Sequence, residues 1–174
     1  MRFSVEHDPN EIWESVLNCI NEVDKEFLID QLDSIGITNQ RETTLAWRKS
    51  TAEPLHNALV WQDTRTQNIC DELKGLTELE ESFNKTGLPI ATYFSLSKIL
   101  WLLRNVDEVK QAREDNDLSF GTIDSWLLFK LTGEHVTDLT NASRTLLMDL
   151  ETLKWMKNIL MTLDIPESSL PEIK

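Results

Sequence analysis

The chain has 174 residues, a net charge of −13 at pH 7, 40% hydrophobic and 27% charged residues, with six Trp and six Phe. That length fits one domain able to bury a core, and that composition excludes a disordered tail. The acidity (pI about 4.6) argues against a nucleic-acid or anionic-membrane surface, and two cysteines, Cys19 and Cys70, indicate neither a disulfide framework nor a Cys-rich zinc site.

In chain order, the opening MRFSVEHDPNE turns acidic within six residues and lacks the apolar core of a signal peptide. No apolar run approaches membrane-spanning length, so a cytoplasmic protein with no membrane span and no nucleic-acid partner is expected. Asp8-Pro9-Asn10-Glu11 starts a helix: Asp8 caps, Pro9 suits the first helical position, and Glu11 completes a capping box. Ile12, Val16, Cys19, Ile20 and Val23 follow at helical spacing, so one face packs on a core. Leu32–Thr38, Thr43–Trp47 and Leu55–Trp61 read as strands, with Arg48–Pro54 as a hairpin loop between the last two. Helices are expected at about Arg65–Leu73, Glu78–Asn84, Ser95–Asn105 and Val106–Asn116. Phe120–Leu131 opens as a short strand and continues as an apolar helix ended by Thr132-Gly133. Asp149–Leu163 holds a last helix, and Pro166 and Pro171 punctuate an exit loop.

Helices and strands thus mix in one α/β domain over residues 1–174. The order is unusual. A doubly wound sheet opens with a strand, whereas this chain opens with a helix whose sheet partner should precede it. It also reaches Pro171-Glu-Ile-Lys without a closing element, so both ends read as cut.

The adjacent Arg41–Glu42 pair is the most informative candidate site. Arginine only donates and ionised glutamate only accepts, so together they can clasp hydroxyls of a small polyol. Consecutive strand residues point to opposite faces, so the pair reaches one ligand only from an irregular backbone such as the polar connection Thr38–Glu42. From charge alone, an ion pair at a loop end is the plainer explanation. Trp61, closing an apolar run, is either a core residue or a platform for ligand C–H groups. Tyr93, at the head of a helix, can cap, pack or touch ligand. Asp124 and Asp138 are each either a base or a turn and cap residue.

Absences narrow the field further. Gly36, Gly75, Gly87, Gly121 and Gly133 are too dispersed for a Walker loop or dinucleotide fingerprint. His7, His56 and His135 are scattered without a His-Glu-x-x-His pattern, and no metal site is expected. The serine of Thr-Asn-Ala-Ser has no elbow glycines, so hydrolase chemistry falls away.

IGITNQRETT, NALVWQDTRT, KTGLPIATYFSLSK, FGTIDSWLLFKLTG and VTDLTNASRTLL, in that order, resemble the FGGY carbohydrate kinase family. The NQRETT segment points within it to the glycerol kinases. The resemblance runs from about Val5 to Pro171. It implies a partial ribonuclease H-like first domain of the actin-like ATPase superfamily, lacking the amino-terminal phosphate-loop strands and the whole second domain. It implies ATP-dependent phosphorylation of glycerol to sn-glycerol 3-phosphate with ATP and Mg²⁺ as cofactors. By it, Arg41, Glu42, Tyr93 and Trp61 would bind glycerol, and a homo-oligomer is a further expectation. The family's catalytic aspartate would lie beyond Lys174, leaving no catalytic, cofactor-binding or metal-ligating residue here and a chain inactive alone. Two alternatives stay open: a non-catalytic binding or oligomerisation module, or a kinase of another small polyol. Missing sheet strands would further be expected to leave Trp13, Trp47, Trp101 and Trp126 near exposed apolar surface.

Overall fold

The computed structural model describes residues 3–26 and 32–174. A two-residue strand, β1 (Glu6–His7), comes first, followed by α1 (Pro9–Glu26). The Asp8 carboxylate accepts from the Asn10 N–H at 2.8 Å, satisfying one of the orphan donors of the first turn. Next come β2 (Thr44–Arg48) and β3 (Ala58–Leu59), joined by a connection in which Ala52 takes a positive φ of 59° and Trp47 bridges Pro54. The helices α2 (Gln67–Lys74), α3 (Glu80–Lys85), α4 (Ser95–Asn105) and α5 (Asp107–Glu114) then lead to β4 (Leu118–Thr122) and α6 (Ile123–Thr132). Gly133 ends α6 at φ 77°, and its N–H donates to Phe129 O at 2.9 Å. The remainder consists of β5 (Val136–Thr137), α7 (Leu139–Ala142), a β6–β7 hairpin (Met148–Asp149, Lys154–Trp155), α8 (Lys157–Thr162) and β8 (Glu172–Ile173).

The main sheet has the order β1-β3-β2-β4, every pair antiparallel. Because side chains alternate along a strand, β2 feeds both faces. Ala46 joins the larger cluster built with α4 and α5, including Leu96, Leu102, Val109 and Phe120. Leu45 and Trp47 join a second cluster with Ile123, Trp126 and Leu127, against which Ile12, Trp13 and Val16 of α1 pack. Trp47 meets the rings of Trp126 and His135 at 5.5 and 5.0 Å.

Several expectations are corrected. Residues 32–38 form no strand: among the described residues no strand runs beside them to complete a ladder, and Ile35 stands exposed. A two-residue strand, β1, does precede the opening helix and pairs with β3. The tail does supply a closing element, since β8 runs parallel to β5 with Val136 opposite Glu172 and Thr137 opposite Ile173. The last helix, Lys157–Thr162, does lie within Asp149–Leu163, and the residues from Asp149 to Trp155 ahead of it lie in the hairpin. There the Asp149 carboxylate takes the N–H groups of Glu151 and Thr152 at 2.8 and 3.1 Å, making a turn that opens the hairpin. Among the described residues, Ile12, Trp13 and Val16 of α1 pack on the core, while Cys19 and Val23 are exposed. Trp47 and Trp126 are fully buried, so neither contributes to an exposed apolar surface.

Candidate functional site

Residues 39–42 form an irregular connection entering β2, closed by the Thr43 N–H donating to Gln40 O at 3.2 Å and the Thr43 hydroxyl donating to the Gln40 side-chain oxygen at 2.7 Å. Arg41 and Glu42 occupy the turn itself, where the backbone is free of strand alternation. The turn docks on α7 and the residues after it. Asn39 Nδ2 donates to Asn141 Oδ1 at 3.1 Å, and the exposed Arg41 points an Nη1 at Thr140 O at 3.5 Å, long for a hydrogen bond. Arg144 Nε donates to Glu42 Oε1 at 2.7 Å. Glu42 is buried, its side chain 8% exposed, and among the described residues Arg144 is its ion-pair partner.

An aromatic wall adjoins this pair. The Arg144 guanidinium carbon lies 5.0 Å from the Phe94 ring and 5.9 Å from the Tyr93 ring. Tyr93 in turn meets Trp61 at 5.5 Å and Phe94 at 5.3 Å, both tilted or edge-on. Trp61 is half-buried and Tyr93 36% exposed, so both rings present surface to an incoming molecule. The turn after Trp61 is fixed by Asp63, whose carboxylate takes the Val5 N–H at 2.7 Å and grips the Arg65 guanidinium at 2.7–3.0 Å. Burial alone would raise the Asp63 carboxyl, but the Arg65 fork and two backbone N–H groups hold it below the ordinary carboxylate range. Arg65 also pairs with Glu6 at 2.6 Å, tying β1 to the same turn.

Arg144 thus links Glu42 to Tyr93, Tyr93 packs on Trp61, and the exposed Arg41 precedes Glu42 in the turn. The group can accept hydroxyl protons at Glu42, donate to hydroxyl oxygens from Arg41, and cover a carbon chain with two rings. Arg144 is the member that sequence reasoning missed. It stands inside the VTDLTNASRTLL segment, but nothing in the chain marks a partner 102 residues away. Asp138 serves as the cap of α7, its carboxylate taking the Asn141 N–H at 2.7 Å. Asp124 is buried, which pushes its carboxyl up, and its oxygens accept from the hydroxyls of Thr122 and Thr137.

Residues 2–174 match the model of the FGGY family of carbohydrate kinases, N-terminal domain. The chain is 50% identical over 174 residues to a glycerol kinase of Borreliella burgdorferi and 51% identical to one of Oceanobacillus iheyensis. Each alignment takes in 98% of this chain and 35% of the relative, so the chain spans about a third of the length of the curated relatives it matches. Among solved structures it superposes on a Plasmodium falciparum glycerol kinase with ADP at a TM-score of 0.89 and 42% identity, covering 100% of this chain and 37% of that one.

Proposed function

The chain belongs to the FGGY family of carbohydrate kinases, as an N-terminal domain with that family's mixed α/β, actin-like ATPase fold, and from that premise we propose that it forms the polyol-binding side of a glycerol kinase. The reaction is transfer of a phosphoryl group from ATP to a terminal hydroxyl of glycerol, giving sn-glycerol 3-phosphate. The observation that carries the reading is the buried Glu42 carboxylate, oriented by Arg144 at the edge of the Trp61–Tyr93 wall.

Glu42 keeps its Oε2 for hydroxyl protons while Oε1 is held by Arg144. Arg41 supplies donors from the solvent side, and the Tyr93 hydroxyl offers one more contact. Trp61 covers the carbon backbone and excludes water from one face. Such a site rejects an analogue lacking a hydroxyl, because the buried carboxylate is then left without its partner. Phosphoryl transfer rests on positioning and charge stabilisation, and a hydroxyl fixed by two charged groups satisfies the first requirement.

ATP and Mg²⁺ belong to this reaction, but the residues described here do not fit either. Among the described residues no group of three His, Cys, Asp or Glu side chains converges, and the five glycines form no phosphate loop. No step through nucleotide or metal is assigned to this chain. Calorimetric titration tests the proposal. Wild type should bind glycerol and discriminate against 1,2-propanediol, and Glu42→Gln or Arg41→Ala should weaken glycerol by roughly 10- to 100-fold, the worth of a hydrogen bond to a charged group. Equal affinity for glycerol and the diol, or variants that bind as wild type does, would refute it. Glycerol-dependent ATP turnover by these 174 residues alone, lost in Arg41→Ala, would overturn the assignment of the nucleotide side elsewhere.

A further inference from the structure

Lys98 lies one turn into α4 with its whole side chain buried. The N-terminus of α4 has no side-chain cap, and the lysine reaches back to the segment that precedes it. Its Nζ donates to Thr92 O at 2.7 Å, Tyr93 O at 2.8 Å and Phe94 O at 3.3 Å. An ammonium has three N–H donors and no acceptor, so three converging carbonyls match it and a neutral amine would leave one facing a lone pair. No described carboxylate forms an ion pair with it. Burial depresses its pKa to about 7, against the upward pull of Asp63 before α2, Cys70 on α2 and Glu42 before β2. Burying a cation this way opposes folding, and an aliphatic side chain would fill the same space without that penalty.

The three carbonyls belong to the segment that carries Tyr93. Among the described residues that ring packs on Trp61 and Phe94 and lies beside the guanidinium of Arg144. We propose that Lys98 is a positioning residue for the polyol site, its ammonium gathering the carbonyls of residues 92–94 so that the Tyr93 ring is held against Trp61 and beside Arg144. The consequence for ligand rests on the polyol reading above; the positioning of the ring does not.

Tyr93 is the one tyrosine of the chain, so biosynthetic labelling with 3-fluorotyrosine gives a single ¹⁹F resonance that reports the ring's surroundings. In wild type a resonance displaced from that of free fluorotyrosine is expected, with further movement on adding glycerol. In Lys98→Met, with a cooperative thermal transition retained, the resonance should move toward the free position or broaden, and the glycerol dissociation constant should rise about tenfold, as for one lost hydrogen bond. Lys98→Gln, which keeps one donor face, should fall between the two. A folded Lys98→Met with the wild-type resonance overturns the proposal. So does failure of both variants to fold, which would make Lys98 a requirement of the fold instead. A wild-type chain that ignores glycerol would refute the polyol reading alone, since the comparison of ring resonances still decides the role of Lys98.

Discussion

Replacing Arg144 by Met removes a guanidinium while keeping a stem of similar length, and so isolates what the charge does for Glu42. The Glu42 side chain is 8% exposed and that of Arg144 27%, so the pair is neither a solvated surface contact nor fully interior. Surface pairs contribute about 0–1 kcal/mol, whereas removing one partner of a buried pair costs about 3–5 kcal/mol because the other charge is stranded. With the stranded charge at the buried end and the deleted one at the rim, about 2–3 kcal/mol is the reasonable loss. The guanidinium's place against Phe94 and Tyr93 adds roughly 0.5–1 kcal/mol. The sum is near 3 kcal/mol, which for a domain of this size lowers the melting midpoint by roughly 6–12 °C. Urea denaturation and thermal melting of Arg144→Met, Glu42→Gln and the double variant measure it. The double variant should be markedly more stable than the sum of the single losses, because it strands nothing. Strict additivity, or an Arg144→Met loss under about 0.5 kcal/mol, would refute the claim that the arginine holds a buried carboxylate.

Three further outcomes follow from the geometry. Burial pushes the His135 imidazole from 6.5 down to about 4, so the unfolded chain binds the extra proton first. Stability is then full above pH 6.5 and falls by roughly 3 kcal/mol as pH drops toward 4, a slope that His135→Gln should flatten in pH-dependent urea titrations. The Asp63 carboxyl is held below its ordinary 3.8, so its contribution is present above that value and disappears as pH falls beneath it; Asp63→Asn should lose stability at neutral pH and show a shallower acid limb by circular dichroism. A Cβ at Gly121 would sit 2.7 Å from Ser125 Cβ and 2.9 Å from Trp47 Cη2, and Gly121→Ala should cost about 1–3 kcal/mol by differential scanning calorimetry, since neither neighbour is a flexible chain end.

What the sequence displayed was local. Helix α4 could be read off Ser95–Asn105 residue for residue, because its apolar periodicity is a short-range signal. The stop at Gly133 was equally plain. The need for an irregular backbone at Arg41 and Glu42 followed from strand alternation, and the pair does lie in a turn. What stayed hidden was partnership. Leu32–Thr38 has strand composition, but a strand exists only where a neighbour completes its hydrogen bonds. Glu172 and Ile173 have no such signal, yet become a strand because β5 offers an edge. Arg144 and Lys98 were visible as charges, but their roles depend on what the fold brings within 3 Å of them.

The double use of β2 also sets the order of events as the chain folds. Ala46 belongs to one cluster, and Leu45 and Trp47 to the other, and the strand's longest partner is β4. Those partners are about seventy residues apart in sequence, so neither cluster consolidates until a long loop has closed and its entropy has been lost. The two layers should therefore form in one kinetic step, with substitutions at Leu45, Ala46 and Phe120 slowing refolding.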